Sequence, residues 1–361
     1  MFAAIRRARR CVQLEFYVFE EVHCAGEKLS ELLVNRRAAG VQIAVIFDAV
    51  GSAHTAPTFL ETLRHAGVQL LRFNPLNPLD ARRGWSPNRR DHRKILIVDG
   101  TVAIVGGVNL SSSYESAASG RAAGPKRGRA TMCRWRDTDL LLTGPAVAQL
   151  QQLFLEHWVE QEGGPLQQVG FFPLSGKSGP ERVGILGSAP ACDRPSYYNA
   201  LLASLRSASS RVWITAGYFL PTAEQNAALI GAARRRVDVR LLLPSHNDST
   251  AALAVQRSGY AELLKAGVQI YEREGVILHA KTVIVDDSWS AVGSSNFDRR
   301  SVRFNDEVDV VVVGARTSKA LARLFLADMR EARRIEAAAW RARPWLQRAR
   351  EWFWKPWEKL L

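Results

Sequence analysis

Apolar and polar positions along this chain alternate in blocks, short β-branched runs of strand period separated by longer stretches with helical period. Residues 1–10 read as the end of an amphipathic helix, with Phe2 and Ile5 on one side and Arg6, Arg7, Arg9 and Arg10 elsewhere, and 11–19 as the strand it leads into. A helix is expected over 27–39, followed by a largely apolar strand in 40–48 of the kind buried on both faces of a parallel sheet. The second half repeats the scheme, with a helix over 198–208 and strands over 211–216 and 237–243. It also has a short strand, 183–186, ahead of that helix, which the first half lacks, so the first repeat is expected to be without an opening strand. Ala66-Gly67-Val68-Gln69 recurs as Ala266-Gly267-Val268-Gln269. Further strands and helices are expected at 308–313, 150–161 and 318–338. This pattern predicts an α/β protein of two homologous repeats, each a mixed sheet flanked by helices.

The repeat carries chemistry. Asp91-His92-Arg93-Lys94 opens an apolar run that reaches Asp99 and then Gly106-Gly107-Val108-Asn109. Leu278-His279-Ala280-Lys281 opens a run that reaches Asp286 and then Gly293-Ser294-Ser295-Asn296, with the His-to-Lys, His-to-Asp and His-to-Asn spacings all kept. Histidine and lysine two apart on a strand leave the same face. One copy of so short a motif is weak, whereas a repeated fold alone does not require His, Lys and Asn again at the same places. A pair of imidazoles can divide a phosphoryl transfer between them. One attacks phosphorus, and the other protonates the leaving oxygen and later deprotonates the incoming hydroxyl, with no metal or other cofactor required. Lys94, Lys281, Asn109 and Asn296 supply donors for the non-bridging oxygens. Each half also has an acid downstream of its histidine, Asp137 and Glu307, suited to orient an imidazole or, alternatively, to cap and pair at strand ends.

Composition narrows the partners. The 361 residues have a net charge of +14, which suits an anionic membrane or nucleic acid. The apolar fraction of 47% is that of a globular protein. Cys11, Cys24, Cys133 and Cys192 show no zinc or disulfide spacing. No run has the ~18 apolar residues of a membrane span, and the first residues lack the order of a signal peptide. Residues 73–90 are rich in Pro, Asn and Arg and read as a basic loop at the mouth of a site, in which Arg89 and Arg90 would meet phosphate or solvent. Residues 111–129 read as a surface loop, and 163–180 as the linker between halves. The last stretch interleaves Trp340, Trp345, Trp352, Trp354 and Trp357 with Arg and Lys, as an interfacial amphipathic helix would, or as a helix packed on the protein's own core would. The other histidines, His157 among them, read as structural or surface residues.

The two H-x-K-x4-D segments with their Gly/Ser-Asn extensions resemble the phospholipase D superfamily. Pro87 to Lys94, Phe73-Asn74-Pro75, Trp135-Arg136-Asp137 and Asn305-Asp306-Glu307 narrow the resemblance to bacterial cardiolipin synthases without transmembrane helices. The repeats are expected over 1–165 and 181–338, related by a pseudo-twofold axis, with a C-terminal amphipathic tail, 339–361. It implies a catalytic set of His92, Lys94, Asp99, His279, Lys281 and Asp286, with Ser294 near the phosphate and the nucleophile in the first copy. The implied reaction forms cardiolipin from phosphatidylglycerol through a phosphatidyl-histidine. Phospholipase D-type hydrolysis and, further off, nucleic-acid phosphodiester cleavage use the same groups. Lipid substrates, an anionic phospholipid membrane rather than nucleic acid, and a peripheral position on the cytoplasmic face of a bacterial inner membrane are expected.

Overall fold

The strands form where β-branched residues are packed on both faces. In the computed structural model, which describes residues 1–80, 85–115, 134–174, 176, 178–190 and 196–355, β1 (Cys11–Phe16) is buried at every position. Its neighbour β2 (Gln42–Asp48) is buried at all but the first. With β3 (Gln69–Phe73), β4 (Lys94–Val98), β5 (Val102–Gly106) and β6 (Asp139–Thr143) they make a mixed sheet in the order β6-β5-β4-β1-β2-β3. β1, β2 and β3 run parallel, and β4, β5 and β6 join antiparallel. Helices Leu29–Ala38, Pro57–His65 and Ala146–Glu160 accompany this sheet, and Phe2, Leu14, Phe16, Leu33, Val45 and Phe59 belong to its core.

The second sheet repeats the scheme. β7 (Arg182–Ser188), β8 (Arg211–Thr215), β9 (Asp238–Pro244), β10 (Gln269–Arg273), β11 (Thr282–Val285), β12 (Trp289–Gly293), β13 (Asn305–Val313) and β14 (Ala332–Arg334) follow the order β7-β13-β12-β11-β8-β9-β10-β14. β8 to β13 occupy the places of β1 to β6, and β7 and β14 extend the two edges. Helices Ser196–Ser207, Ala223–Arg234 and Ala315–Arg330 flank this sheet. The helix expected over 318–338 ends at Arg330, because Tyr271, Glu272 and Arg273 take Ala332–Arg334 as an antiparallel edge strand and Ile335 N–H bonds Ile270.

Two compact units result, and they do not follow a single cut in the sequence. One comprises the described residues within 1–131 and 139–179 together with Asn305–Val308. The other comprises those within 132–138, 180–304 and 309–361. Each unit therefore takes in a few residues from the other sequence half, through short parallel pairings. Asn305 and Asp306 pair with Arg90 and Asp91, and Arg134, Trp135 and Arg136 pair with Val276, Ile277 and Leu278.

Asp99 and Asp286, expected in the catalytic set, belong instead to the opposite end of their strands. Each lies seven positions beyond its histidine, about 23 Å of extended chain at about 3.3 Å per residue. Asp99 (φ 52) and Gly100 (φ 63) form the β4–β5 turn, as Asp286 (φ 49) and Asp287 (φ 62) form the β11–β12 turn. Left-handed pairs of this kind are what tight hairpins require. The Asp99 carboxylate accepts the backbone N–H groups of Arg9, Arg10 and Cys11 at 2.7–2.9 Å, pinning the hairpin to the start of β1. Asp286 does the same for Ser209, Ser210 and Arg211 at 2.8–2.9 Å and so pins β8. Burial would raise the Asp286 carboxyl, but these donors hold it well below the usual range.

The C-terminal stretch divides. Trp340 is buried against Tyr260, ring centroids 5.1 Å apart, as core packing would have it. Helix Trp345–Trp354 then leaves Trp345, Leu346 and Phe353 exposed, while Glu351 is buried in a pair with Arg343 and Trp354 packs beside Leu220, Ala252 and Val255. Trp357 and Lys359 lie outside the described residues, as do Arg82, Arg83, Cys133, Cys192 and residues 116–129.

Replacing Asp286 by Ala removes the acceptor for three backbone amides and should lower stability by roughly 1–3 kcal/mol. Because the folded carboxyl is depressed, that contribution is present above the ordinary value of 3.8 and is lost as the pH falls below it. Urea unfolding of the variant and the parent should therefore differ at pH 7 and converge in acid.

Candidate active site

His92 sits between the short strand Arg90–Asp91 and β4, in the first unit. Its N–H donates to the Asp306 carbonyl at 2.9 Å, and its Nδ1 lies 3.0–3.1 Å from both oxygens of Glu307. Glu307 is fully buried and also accepts from Asn305 Nδ2 at 3.1 Å. The Tyr17 ring stands edge-on to the imidazole, 5.3 Å between centroids. Lys94 is buried on the same strand face, with Nζ donating to the His92 carbonyl and lying 5.4 Å from the centre of the Tyr17 ring.

The second unit reproduces this with different residues. His279 N–H donates to the Arg136 carbonyl at 2.8 Å, and Nδ1 lies 2.7 Å from the Asp137 carboxylate, whose side chain is buried. Tyr218 is again edge-on, at 6.4 Å, and Trp135 lies at 4.9 Å. Lys281 Nζ donates to the His279 carbonyl. Gly217 lets the chain pass close to the histidine, since a Cβ there would stand 2.8 Å from His279 Cα. Burial would raise the Asp137 carboxyl, but His279 and Lys281 bring it down to about 2. It is an anion throughout the working pH range, and an anion on Nδ1 keeps a proton there and makes Nε2 the ring nitrogen for chemistry.

The acids are crossed relative to the sequence expectation. Each half was expected to orient its own histidine, yet Glu307 serves His92 and Asp137 serves His279. The exchanged segments are the reason, because each unit closes its histidine pocket with a piece of the other half. Asn109 Oδ1 accepts the Val18 N–H at 3.2 Å, leaving the amide NH2 as its donor end. Asn296 donates its backbone N–H to Ser301 Oγ, and its Oδ1 is buried. Ser294 is fully buried, and Ser295 donates to Asp309.

Arg89 and Arg90 are not a solvent-facing mouth. Both are buried: Arg89 forms a two-pronged pair with Asp306 at 2.8 and 2.9 Å and reaches Glu160 at 2.9 Å, and Arg90 faces Asp48 at 3.4 Å. Arg93 is buried as well, with Glu15 at 3.3 Å and the Glu307 carbonyl at 3.3 Å. Burial of Glu15, Asp48, Asp91 and Asp306 near one another favours such partners. Asp48 and Asp91 are both raised by burial, and Asp91 is raised further by Glu15. Among the described residues, Glu15, Asp91 and His157 bring ligand-type atoms within 4.8 Å of one another. The Arg93 guanidinium at Glu15 and the His157 bond to the same carboxylate, 2.8 Å, already answer that charge, so the group reads as a buried ion network rather than a cation site. The sequence signal for Asp306 and Arg136 lies in the Asn305-Asp306-Glu307 and Trp135-Arg136-Asp137 triplets, in which each stands directly before the acid on a histidine.

The family model described as cardiolipin synthase, PLD-like domain, matches residues 1–118 and 201–329. Cardiolipin synthase A of Pseudomonas putida is 34% identical over 343 residues, which cover 93% of this chain and 67% of that protein. Cardiolipin synthase of Geobacillus kaustophilus is 33% identical over 354 residues, covering 97% of this chain and 68% of that protein. Among solved structures, phosphatidylserine synthase of Haemophilus influenzae aligns with a TM-score of 0.72 at 11% identity, over 99% of this chain and 90% of that one, a likeness of fold.

Asp137→Asn removes the anion on Nδ1 of His279 and should shift the imidazole toward its neutral form at a given pH. The alkaline limb of the kcat/KM profile should move to lower pH, since the ring that protonates the leaving oxygen must start charged, and turnover should fall by about 100-fold, the scale of losing a positioned acid–base group. Initial rates between pH 5 and 9 would show it.

Proposed function

Because the chain belongs to the cardiolipin synthase family of phospholipase D-like domains, it is a phospholipid phosphatidyltransferase, and we propose that it forms cardiolipin from phosphatidylglycerol in two histidine-mediated steps. In the first, His92 Nε2 attacks the phosphodiester phosphorus of one phosphatidylglycerol. The P–O bond to the headgroup glycerol breaks as His279 protonates that oxygen, and glycerol leaves. In the second, His279 takes the proton of a headgroup hydroxyl on a second phospholipid, that oxygen attacks phosphorus, and the P–N bond breaks. Lys94, Lys281, Ser294 and the amides of Asn109 and Asn296 would donate to the non-bridging oxygens, where charge must be stabilised.

One observation carries this reading: both motif histidines hold a carboxylate with a buried side chain on Nδ1, so two imidazoles are prepared alike for Nε2 chemistry. A single general base would need only one such pair. Assigning the nucleophile to His92 follows the family resemblance. Hydrolysis differs only in the acceptor, and exclusion of water decides between them.

Membrane contact is proposed to be peripheral, at the cytoplasmic face of a bacterial inner membrane, with anionic phospholipid and not nucleic acid as the partner. Among the described residues no helix is long and apolar enough to cross a membrane. Helix Trp345–Trp354 supports an interfacial role: Trp345, Leu346 and Phe353 are 72%, 64% and 61% exposed, in a stretch where Arg341 and Arg348 are exposed too. Each basic residue close to an anionic surface contributes about 1 kcal/mol.

Thin-layer chromatography of products from purified protein and labelled phosphatidylglycerol should show cardiolipin and free glycerol, with both absent in His92→Ala. Phosphatidic acid as the main product would establish the hydrolase instead. Changing Trp345, Leu346 and Phe353 together to Ser should reduce flotation with phosphatidylglycerol vesicles at least tenfold and leave turnover in mixed micelles within twofold. Unchanged flotation would remove the helix from the membrane account.

A further inference from the structure

The residue just before each orienting acid is held twice. Asp306 and Arg136 both accept the backbone N–H of the histidine in question, at 2.9 and 2.8 Å. Both also send their side chains into two-pronged ion pairs within their own unit. Asp306 is gripped by Arg89 at 2.8 and 2.9 Å, with Arg93 Nη2 3.9 Å away. Arg136 grips Asp328, on helix Ala315–Arg330, through Nε at 3.1 Å and Nη2 at 2.9 Å. The polarity is reversed, because the exchanged segment supplies the acid in one unit and the arginine in the other.

Such locks answer a mechanical need. Beside the histidines the exchanged segments pair over two residues, 305–306, and three, 134–136, while the ladders that join β13 to β12 and β6 to β5 begin further along, at Asp309 and Asp139. A planar fork on a carboxylate restrains both distance and orientation. The next residue along each segment is the acid on Nδ1.

We infer that Arg89 and Asp328 are positioning residues, which act through Asp306 and Arg136 to hold Glu307 on His92 and Asp137 on His279. The inference rests on the proposed histidine chemistry for its effect on rate but not for its effect on the imidazoles.

The test uses the full chain with 15N-labelled histidine, the His279 signal being assigned by its loss in His279→Gln. In Asp328→Asn the His279 titration midpoint should fall by about 1 unit, toward that of an imidazole without its carboxylate. Turnover on phosphatidylglycerol should drop at least tenfold with KM within twofold. Arg89→Lys keeps the charge but not the fork and should shift His92 in the same direction. Arg257→Gln is the control, since Arg257 makes an equivalent two-pronged pair in the second unit, at 2.8 and 2.9 Å, with Glu272 and not with the exchanged segment. It should lower the melting temperature and leave the His279 titration in place. An unmoved His279 in Asp328→Asn, or an equal shift in Arg257→Gln, would reduce the forks to general stability and overturn the inference. If Arg89→Lys does not fold, Asp328→Asn decides alone. If the wild type makes no cardiolipin while the imidazole shifts appear, the positioning stands and the functional reading fails.

Discussion

A carboxylate bonded to Nδ1 of an imidazole is the interaction on which the rest depends. It fixes the proton on one ring nitrogen, aims the other and favours the charged ring when a proton is taken up. Here it occurs twice, with Glu307 on His92 and Asp137 on His279. In both cases the acid comes from the other sequence half. Neither half contains a complete histidine–acid pair, so the duplicated sequence is not a duplicated site. The histidines stand just ahead of equivalent strands, β4 and β11, and the short exchanged segments finish them.

Bringing an acid against a histidine inside a protein raises the cost of every charge nearby, and the surroundings of His92 show how that cost is met. Glu15, Asp91, Asp306 and Glu307 are all buried, as are Arg89 and Arg93. The guanidiniums of Arg89 and Arg93 face these acids at 2.8–3.3 Å. Removing one partner from a buried pair leaves an uncompensated charge, so such a network holds its members to one arrangement even where it adds little net stability. The same logic explains why Arg89 and Arg90, which look like phosphate ligands in the sequence, are already committed to Asp306 and Asp48.

Much of the fold was legible because it is local. Strand-period runs at 11–16 and 42–48 mark the sheet centre, and the repeated Ala-Gly-Val-Gln marks the β3 and β10 entries. The histidines and lysines were legible because the motif recurs in register. What spacing along the chain could not show was partnership in space. It suggested that each acid serves its own half, and it gave Asp99 and Asp286 to catalysis because they belong to the motif. Their recurrence has another cause: each turns a hairpin in the left-handed region and caps the first amides of a central strand. Trp340 was misleading for a similar reason, since a tryptophan packed on Tyr260 and one facing solvent read alike in a basic, aromatic stretch.

The most direct measurement of the division of labour between the two histidines uses a substrate that needs no help in leaving, the p-nitrophenyl ester of phosphatidic acid, with the His279→Gln protein. Nitrophenolate departs without a proton, so formation of the P–N bond should proceed while its transfer to a second hydroxyl, which needs the missing base, should stall. The account predicts a burst of one nitrophenolate per enzyme and a phosphatidyl group on His92 in the alkali-quenched protein. Steady release with no burst, or the adduct on any other residue, would contradict it.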